Sequence, residues 1–506
     1  MPKPKTLLKD TKSKKKAKQL EPETADEYLA EGVEFEEAGE KWRAGDAVKS
    51  MRFFMRAIDT YDTGLRKYPN SFDLAYNNIR ARVQYDITQH PKLASQLPAP
   101  MAEILQIALK SHREALSKDQ DNADILFNTA QVLTSLAEVI GEGKHPSGHK
   151  AQEAIKYLQE ALELFQRCLA IQELRFTEYQ EQVNAMESNI SEQPETEQLP
   201  PPESSLPAST PVEQWAVVVE PVTKNTLVDT AIAQLETLAT LCGLLIYDSS
   251  TSLAWIEEYS SDLLREKINA YAEGTDRKKD IALARARFIA AFTELVYRNG
   301  QIDLETYKNE LNSAYTDGLD VSGDPAGLCS QAEALVAFNS AMADTFSPDS
   351  PEELKIALDL RWKSLSSALD FLTAASKLPS AGENLPKIHV ARGDVEMYRL
   401  RLGKAPWNYG PASANSALLL KNAETYYRGG AAIARRDGWT AEEREGTFKE
   451  ALAKVLSGDP SQMESLLTSD KEGLTQVAED MAEDGLITNN DLEKILHDMA
   501  PDEIVF

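Results

Sequence analysis

One stretch of this sequence has the acidic spacing of a calcium-binding loop: DMAEDGLITNND, residues 480–491. Asp484 and Asp491 fall at ligand positions 5 and 12 of such a loop, and Gly485 falls at its sharp turn. However, Ala482 replaces a ligand, and an aspartate is shorter than the glutamate that usually closes the loop. We therefore predict a helix–turn–helix, with Gly485 in the turn and Asp491 as the N-cap of the second helix.

The histidines and cysteines do not form a recognisable metal-binding or nucleophilic pattern. His145 and His149 could touch one metal, but no Cys or carboxylate pair nearby completes a tetrahedral set. Cys168 and Cys242 occupy small or apolar positions, which predicts buried thiols. The sequence has no phosphate-binding glycine loop, GxSxG or HExxH motif. It therefore predicts no catalytic residue, no cofactor and no bound metal, and a protein that is not an enzyme.

Charge is divided unevenly along the chain of 506 residues, whose formal net charge is −27. The first 20 residues contain eight Lys and one Asp, so the remainder carries more than the whole of the negative charge. An acidic body repels nucleic-acid backbones and attracts basic proteins. We expect a basic protein partner, with nucleic acid contacted only through the tail. The alternative is that the charge serves solubility alone.

The basic tail is a candidate nuclear import signal, and a solvated tail is the alternative. Its candidate residues are Lys12, Lys14, Lys15, Lys16 and Lys18. The N-terminus lacks the apolar core of a secretory signal, and no run of 18 apolar residues predicts a membrane span. Three widely separated cysteines favour a reducing compartment. The predicted location is the cytoplasm, the nucleus or both.

Composition divides the chain into five segments, dominated by helical patterning. We predict a disordered basic tail (1–24), an N-terminal helical region (25–180), a disordered linker or insertion rich in Pro, Ser and Glu (186–214), a C-terminal helical region (226–456) and an acidic C-terminal segment (459–506). Breaks between helices are expected at 272–278, 316–328, 344–352 and 378–386.

The stretch AIDTYDTGLRKYPN, residues 57–70, carries small, aromatic and small residues at helical spacing. Ala57 and Gly64 would let a neighbouring helix approach closely, and Tyr61 would fill the gap between them. Pro69 would end the helix, because proline cannot donate a backbone hydrogen bond. The same register recurs at Ala108, His112 and Ala115; at Ala154, Leu158 and Ala161; at Ala161, Phe165 and Cys168; at Ala284, Phe288 and Ala291; at Ala368, Leu372 and Ala375; and at Ala423, Tyr427 and Gly430.

This pattern resembles the tetratricopeptide repeat (TPR) family, in which pairs of helices of about 34 residues stack side by side. The resemblance implies an all-α fold, arranged as a right-handed α-α superhelix or TPR-like solenoid. The chain departs from the family in having overlong second helices near 45–67 and 154–172, where the small–aromatic–small pattern begins a heptad early. An irregular α-α domain without true repeats is the alternative.

In the TPR family the first helix of each pair lines a concave protein-binding groove. The resemblance therefore places a candidate groove on Asp73, Tyr76, Asn77, Arg80 and Gln84 from one helix and on Asp124, Phe127, Asn128 and Gln131 from the next. The clamp that some TPR proteins use to grip a C-terminal carboxylate is not expected, because Glu40 stands where its first asparagine would be.

Together these features predict a non-enzymatic protein-binding scaffold, most specifically an assembly chaperone or escort for a basic, ribosomal-protein-like client. An acidic groove would neutralise Lys and Arg of that client, and the tail would supply import. The alternative is a structural subunit of a stable multiprotein complex. Salt separates the two, since charge-driven binding weakens steeply as salt rises. A helical enzyme, the third possibility, would need a pocket with residues of shifted pKa.

Overall fold

A computed structural model describes residues 22–43, 45–69, 71, 74, 87–94, 97, 99–143, 148–191, 221–246, 253–345 and 350–499. Every regular element within these ranges is a helix, which confirms the predicted all-α class. The chain divides into two compact units, Met1–Gln96 and Leu97–Phe506. The predicted basic tail (1–24) and linker (186–214) lie outside the described residues except for 22–24 and 186–191, so the predicted division at the linker stays a prediction.

The first unit contains α1 (Ala25–Arg43), α2 (Ala47–Lys67) and the single turn α3 (Pro91–Ala94). Asp46 caps α2 by accepting a hydrogen bond from the backbone N–H of Lys49 at 2.9 Å. The helix then runs for 21 residues, so the predicted overlong second helix is present. Its buried face includes Tyr61, whose ring lies directly over Gly32 of α1.

The second unit is built from sixteen α-helices in its described part. They are α4 (Met101–Lys118), α5 (Ala123–Ile140), α6 (Gly148–Ser191), α7 (Lys224–Leu245), α8 (Leu253–Asp262), α9 (Ile268–Ala272), α10 (Lys278–Arg298), α11 (Leu304–Thr316), α12 (Pro325–Thr345), α13 (Pro351–Ala375), α14 (Leu385–Leu402), α15 (Gly410–Ala414), α16 (Ser416–Asp437), α17 (Thr440–Leu456), α18 (Met463–Glu483) and α19 (Asn489–Met499). A π-helical turn, Leu263–Lys267, joins α8 to α9, and a 3-10 segment, Pro379–Asn384, precedes α14.

The helix ends agree with the predicted breaks to within three residues. The 44-residue helix α6 confirms the second overlong helix, but it continues to Ser191, into the stretch expected to be a linker from residue 186. Its register explains this difference, because Tyr179, Val183 and Met186 continue the helical spacing of apolar residues beyond the packed part of the helix.

Buried apolar side chains of the second unit form three clusters that follow chain order rather than one central core. They span residues 137–295, 283–412 and 390–495. The small–aromatic–small register supplies many of these side chains. Of its predicted positions, Ala108, His112, Ala115, Ala154, Leu158, Ala161, Phe165, Cys168, Ala284, Phe288, Ala368, Leu372, Ala375, Ala423, Tyr427 and Gly430 are buried, and Ala291 is half-buried. Each helix therefore packs mainly against its neighbours in sequence.

Helix α7 is long and apolar enough to cross a membrane by length and composition alone. In this fold it lies among other helices, with Leu235 and Leu238 fully buried. Its Thr230 hydroxyl donates to Gln172 Oε1 of α6 at 2.8 Å, so even its polar side chains are used in helix packing. Burial in a helical core accounts for its composition.

The calcium-like stretch forms the turn between α18 and α19. Gly485 occupies this turn with a positive φ of 76°, as predicted. The prediction that Asp491 is the N-cap of α19 was wrong. Thr488 precedes α19, and the backbone N–H of Asp491 donates to the Thr488 hydroxyl at 3.0 Å. The Asp491 carboxylate accepts from the backbone N–H of Thr488 at 3.1 Å, which completes a capping box, and from Lys404 Nζ at 2.7 Å.

Candidate functional site

The predicted groove residues of α5 lie on one face of that helix. Asp124 is exposed, whereas Asn128 and Gln131 are half-buried. Phe127 is partly a core residue, because its ring packs edge-on against Phe165 with centroids 5.5 Å apart. The other predicted groove residues, Asp73, Tyr76, Asn77, Arg80 and Gln84, lie outside the described residues, as do Lys12, Lys14, Lys15, Lys16 and Lys18 of the tail.

The face of α5 leads into a line of polar contacts with α7. The hydroxyls of Thr134 and Thr237 are 3.0 Å apart. One turn further along α5, Glu138 Oε1 accepts from the Thr240 hydroxyl at 3.3 Å. Both contacts join residues about 100 positions apart in sequence, so they fix how α5 lies along α7.

The line continues from α7 through α10 to α12. Arg287 Nη1 of α10 donates to Glu236 Oε1 at 3.3 Å, and Arg287 Nε donates to the Ser330 hydroxyl at 3.2 Å. The Tyr315 hydroxyl contacts the same Ser330 oxygen at 2.7 Å and so holds it in place. Arg287 thus bridges two helices that each present an acidic residue, Glu236 and Glu333.

A third set of contacts links α14, α16 and α17 around Asp394. The Tyr427 hydroxyl donates to Asp394 Oδ1 at 2.7 Å, and Lys449 Nζ lies 3.0 Å from Asp394 Oδ2 and 2.8 Å from Glu445 Oε1. Burial opposes the charged form of Lys449, but the two carboxylates outweigh it and raise the pKa of the lysine. Lys449 is therefore a buried cation shared between two acids.

We use the name polar row for a selection of these side chains together with Glu333, which lies near Arg287. It comprises Thr134, Glu138, Glu236, Thr237, Thr240, Arg287, Ser330, Glu333, Asp394, Glu445 and Lys449. Five members are acidic and two are basic, so the row carries an excess of negative charge if all are ionised. Its members come from six helices, α5, α7, α10, α12, α14 and α17.

A cleft of about 580 Å³ opens along the polar row between α12 and α14. Its charged and polar lining includes Arg287, Cys329, Ser330, Glu333, Lys387, Asp394, Tyr398 and Asp484, and its apolar lining includes Val336, Ala337, Leu372, Ile388, Ala391, Val395 and Leu486. This volume lies within the range of roughly 300–1,000 Å³ that is usual for ligand pockets.

Three glutamates of the polar row have raised pKa values. Glu138, Glu236 and Glu333 are exposed to solvent, yet the surrounding protein removes part of their hydration and raises the pKa of each carboxyl group. Nearby Arg287 opposes this effect at Glu236 and Glu333.

The cleft contains a thiol, but its chemistry is not that of a nucleophile. Burial raises the pKa of Cys329 to about 11, so the thiol is protonated at neutral pH. Cys168 and Cys242 are buried as predicted, and the Cys168 thiol donates to the Ala123 carbonyl at 3.3 Å. Among the described residues no three His, Cys, Asp or Glu side chains are grouped so as to hold a metal.

The groove residues predicted on α5 lie on the helix that contributes Thr134 and Glu138, but none of the predicted site residues belongs to the polar row. Glu138 follows Gln131 by seven residues, two helical turns along the same face, and this spacing was a usable signal. Glu236, Glu333 and Asp394 had no such signal, because their proximity depends on how separate helices pack.

The described residues form an all-helical structure whose apolar clusters follow chain order. No family model matches the chain. The chain is similar to a UPF0656 protein of Schizosaccharomyces pombe, with 25% identity over 459 residues, which cover 88% of this chain and 91% of that protein.

Proposed function

We propose that this chain is a non-enzymatic protein-binding scaffold, folded as a right-handed TPR-like solenoid, that acts as an assembly chaperone or escort for a basic client protein. The solenoid is supported by the three sequential core clusters, because repeat proteins bury their apolar side chains mainly between neighbouring repeats. It is also supported by burial of the small–aromatic–small positions.

The observation that carries the functional proposal is the acidic excess of the polar row. The protein disfavours the ionised forms of Glu138, Glu236 and Glu333. The positive charges of a basic segment bound along the row would stabilise these ionised forms. The client would also meet an attractive long-range field, because the whole chain has a net charge of −27. In this proposal the protein works in the cytoplasm, the nucleus or both, and the Lys-rich tail directs import.

Affinity purification of the full chain from its native cells tests this proposal. We expect basic proteins to be retained at about 0.05 M salt and released at about 0.5 M, since screening weakens charge-driven binding. The triple variant Glu138→Gln, Glu236→Gln and Glu333→Gln should retain much less.

A matched control removes the same charge elsewhere. Glu163, Glu181 and Glu479 are exposed and lie outside the polar row, so changing all three to Gln should leave retention unchanged. Equal losses in the two triple variants, or retention of proteins that are not basic, would contradict the proposal.

A second candidate, a structural subunit of a stable complex, is favoured by the C-terminal part of α6. Leu174 and Met186 are 61% and 65% exposed, and Phe176, Tyr179, Val183 and Met186 recur at alternating spacings of three and four. Such a stripe fits a partner helix. Partners that remain bound at high salt, and are lost when Tyr179 and Met186 are both changed to Ser, would support this candidate.

A further inference from the structure

We propose that the cleft between α12 and α14 binds a short client segment in which a Lys or Arg side chain reaches Glu333 while an aliphatic neighbour packs on Val336, Ala391 and Val395. This inference rests on the proposed function and specifies where and how the client is held. It places the binding site in one part of the polar row, the cleft between α12 and α14.

The charge of the occupant follows from which groups are already paired. Arg287 is bound to Glu236 and Ser330, and Lys387 lies 3.6 Å from Glu442. Among the described residues, Glu333 makes no hydrogen bond and no ion pair within 4.0 Å; Arg287 acts on it only through space.

Asp394, the acid that faces the cleft from α14, is already paired. It accepts a hydrogen bond from the Tyr427 hydroxyl and forms an ion pair with Lys449. Asp484 borders the cleft from the turn after α18, where its backbone carbonyl accepts from the Tyr398 hydroxyl at 3.0 Å. Glu333 is therefore the carboxylate of this cleft that we assign to a bound cation, so a Lys or Arg side chain is the complementary ligand.

The apolar part of the cleft selects a side chain with an aliphatic stem or neighbour. Val336 and Ala337 come from α12, and Ile388, Ala391 and Val395 come from α14. A Lys or Arg can lay its methylene groups on such a wall while its charged end reaches a carboxylate. A simple metal cation would not use this wall, and a purely apolar segment would leave Glu333 without a partner.

Cys329 provides a natural reporter of occupancy. It lies one helical turn before Glu333 on α12 and lines the cleft. Cys329 is half-buried, whereas Cys168 and Cys242 are fully buried in the folded chain. Iodoacetamide at about pH 9 should therefore modify Cys329 first, because the thiolate is the reactive form.

The experiment measures the alkylation rate of Cys329 in the full chain with two probe peptides. One is the capped hexapeptide Gly-Leu-Lys-Leu-Lys-Gly, and the other is identical except that both lysines are Nε-acetylated. We expect the charged peptide, at a concentration that gives roughly 80% occupancy, to slow alkylation about fivefold. The acetylated peptide at the same concentration should have little effect.

Glu333→Gln is the matched variant. We expect it to weaken binding of the charged peptide about fivefold, as loss of a partly exposed ion pair does, and Glu163→Gln to leave binding unchanged. Because Glu333 itself raises the pKa of Cys329, rates are compared as the ratio with and without peptide for each variant.

Three outcomes would overturn the cleft assignment. They are equal protection by both peptides, binding of the charged peptide without protection of Cys329, and retention of basic proteins by the chain when neither peptide binds. In each case the proposed function can still stand on the salt-dependent purification. Failure of the peptides and of that purification together would reject both.

Discussion

Two helix pairs of this protein use the same packing arrangement, one in each compact unit. In the pair α1–α2 the ring of Tyr61 lies over Gly32, and in the pair α14–α16 the ring of Tyr427 lies over Gly393. In both pairs a buried Ala precedes the tyrosine by four residues and a buried Gly follows it by three. A glycine on one helix thus makes room for the tyrosine of the other.

The two pairs differ in what the tyrosine hydroxyl meets. Tyr61 donates to Glu36, a half-buried residue on the same helix as Gly32. Tyr427 donates to Asp394, which also binds Lys449 from a third helix, α17. The same packing arrangement therefore closes a helix pair in one case and anchors the polar row in the other. The two pairs differ because Lys449 of α17 contacts the carboxylate that Tyr427 binds.

The largest expected effect comes from removing that third-helix contact. Lys449→Met would leave Asp394 and Glu445 without their shared cation, and breaking a buried ion pair in this way costs about 3 kcal/mol or more. Hydrogen exchange of α16 and α17 amides measures this locally, which matters because the two compact units need not unfold together.

The double variant Asp394→Asn with Lys449→Met serves as the control for Lys449→Met. It removes the charge of Asp394 as well as the cation, and the Glu445 side chain that remains is 45% exposed and can be hydrated, so much of the lost protection should be recovered. Single and double variants with the same loss would mean that the buried charge is not what destabilises α16 and α17.

The packing of a tyrosine ring over a glycine, which the two pairs share, is tested by changing Gly393 and Gly32 to Ala. A Cβ would lie 2.4 Å from Tyr427 Cε1 at Gly393 and 2.0 Å from Tyr61 Cε1 at Gly32. Both rings are at most 1% exposed and cannot move aside. We expect Gly393→Ala and Gly32→Ala each to destabilise its own helix pair by about 2 kcal/mol, which is typical of overpacking.

Gly243 in α7 is the control for these two variants, because no described atom outside its own stretch of helix lies within 4 Å of the position that an added methyl group would take. Gly243→Ala should be neutral or stabilising by up to about 1 kcal/mol, since Ala favours helix over Gly. Hydrogen exchange of the helix concerned is again the measurement. A small effect at Gly32 together with a large one at Gly393 would show that the two pairs do not share one arrangement.

The sequence predicted one side of the packing that the two pairs share, the Ala–Tyr–Gly face, but not Gly32 and Gly393, over which the tyrosine rings lie. Ala57, Tyr61 and Gly64 are seven residues apart end to end, and that spacing alone places them on one helix face. Four breaks between helices were predicted because Gly and Pro act locally, but the breaks at 299–303 and 403–409 were not predicted.

The contact that distinguishes the two pairs, between Asp394 and Lys449 of a third helix, was not predictable from the sequence. Asp394 and Lys449 are 55 residues apart, and Glu236 and Arg287 are 51 apart. Their contact depends on how helices are stacked, which no local spacing encodes. Asp491 shows the same limit at short range, since it was predicted as the N-cap of α19 and its backbone N–H instead donates to the Thr488 hydroxyl.

The smallest expected effect isolates the hydroxyl groups themselves. Tyr427→Phe removes one donor from Asp394, which is enclosed by α14, α16 and α17, so we expect a loss of about 1.5 kcal/mol. Tyr61→Phe removes a donor from Glu36, which is only half-buried and can accept from water instead, so we expect about 0.5 kcal/mol. The measurement is hydrogen exchange of α16 and of α2, respectively.

Both phenylalanine rings still cover their glycines, so packing is unchanged and the difference between the two losses reports only on the polar environment. If the two losses are equal, the polar row gives Tyr427 no more than an ordinary surface hydrogen bond, and the third helix is not what distinguishes the two pairs.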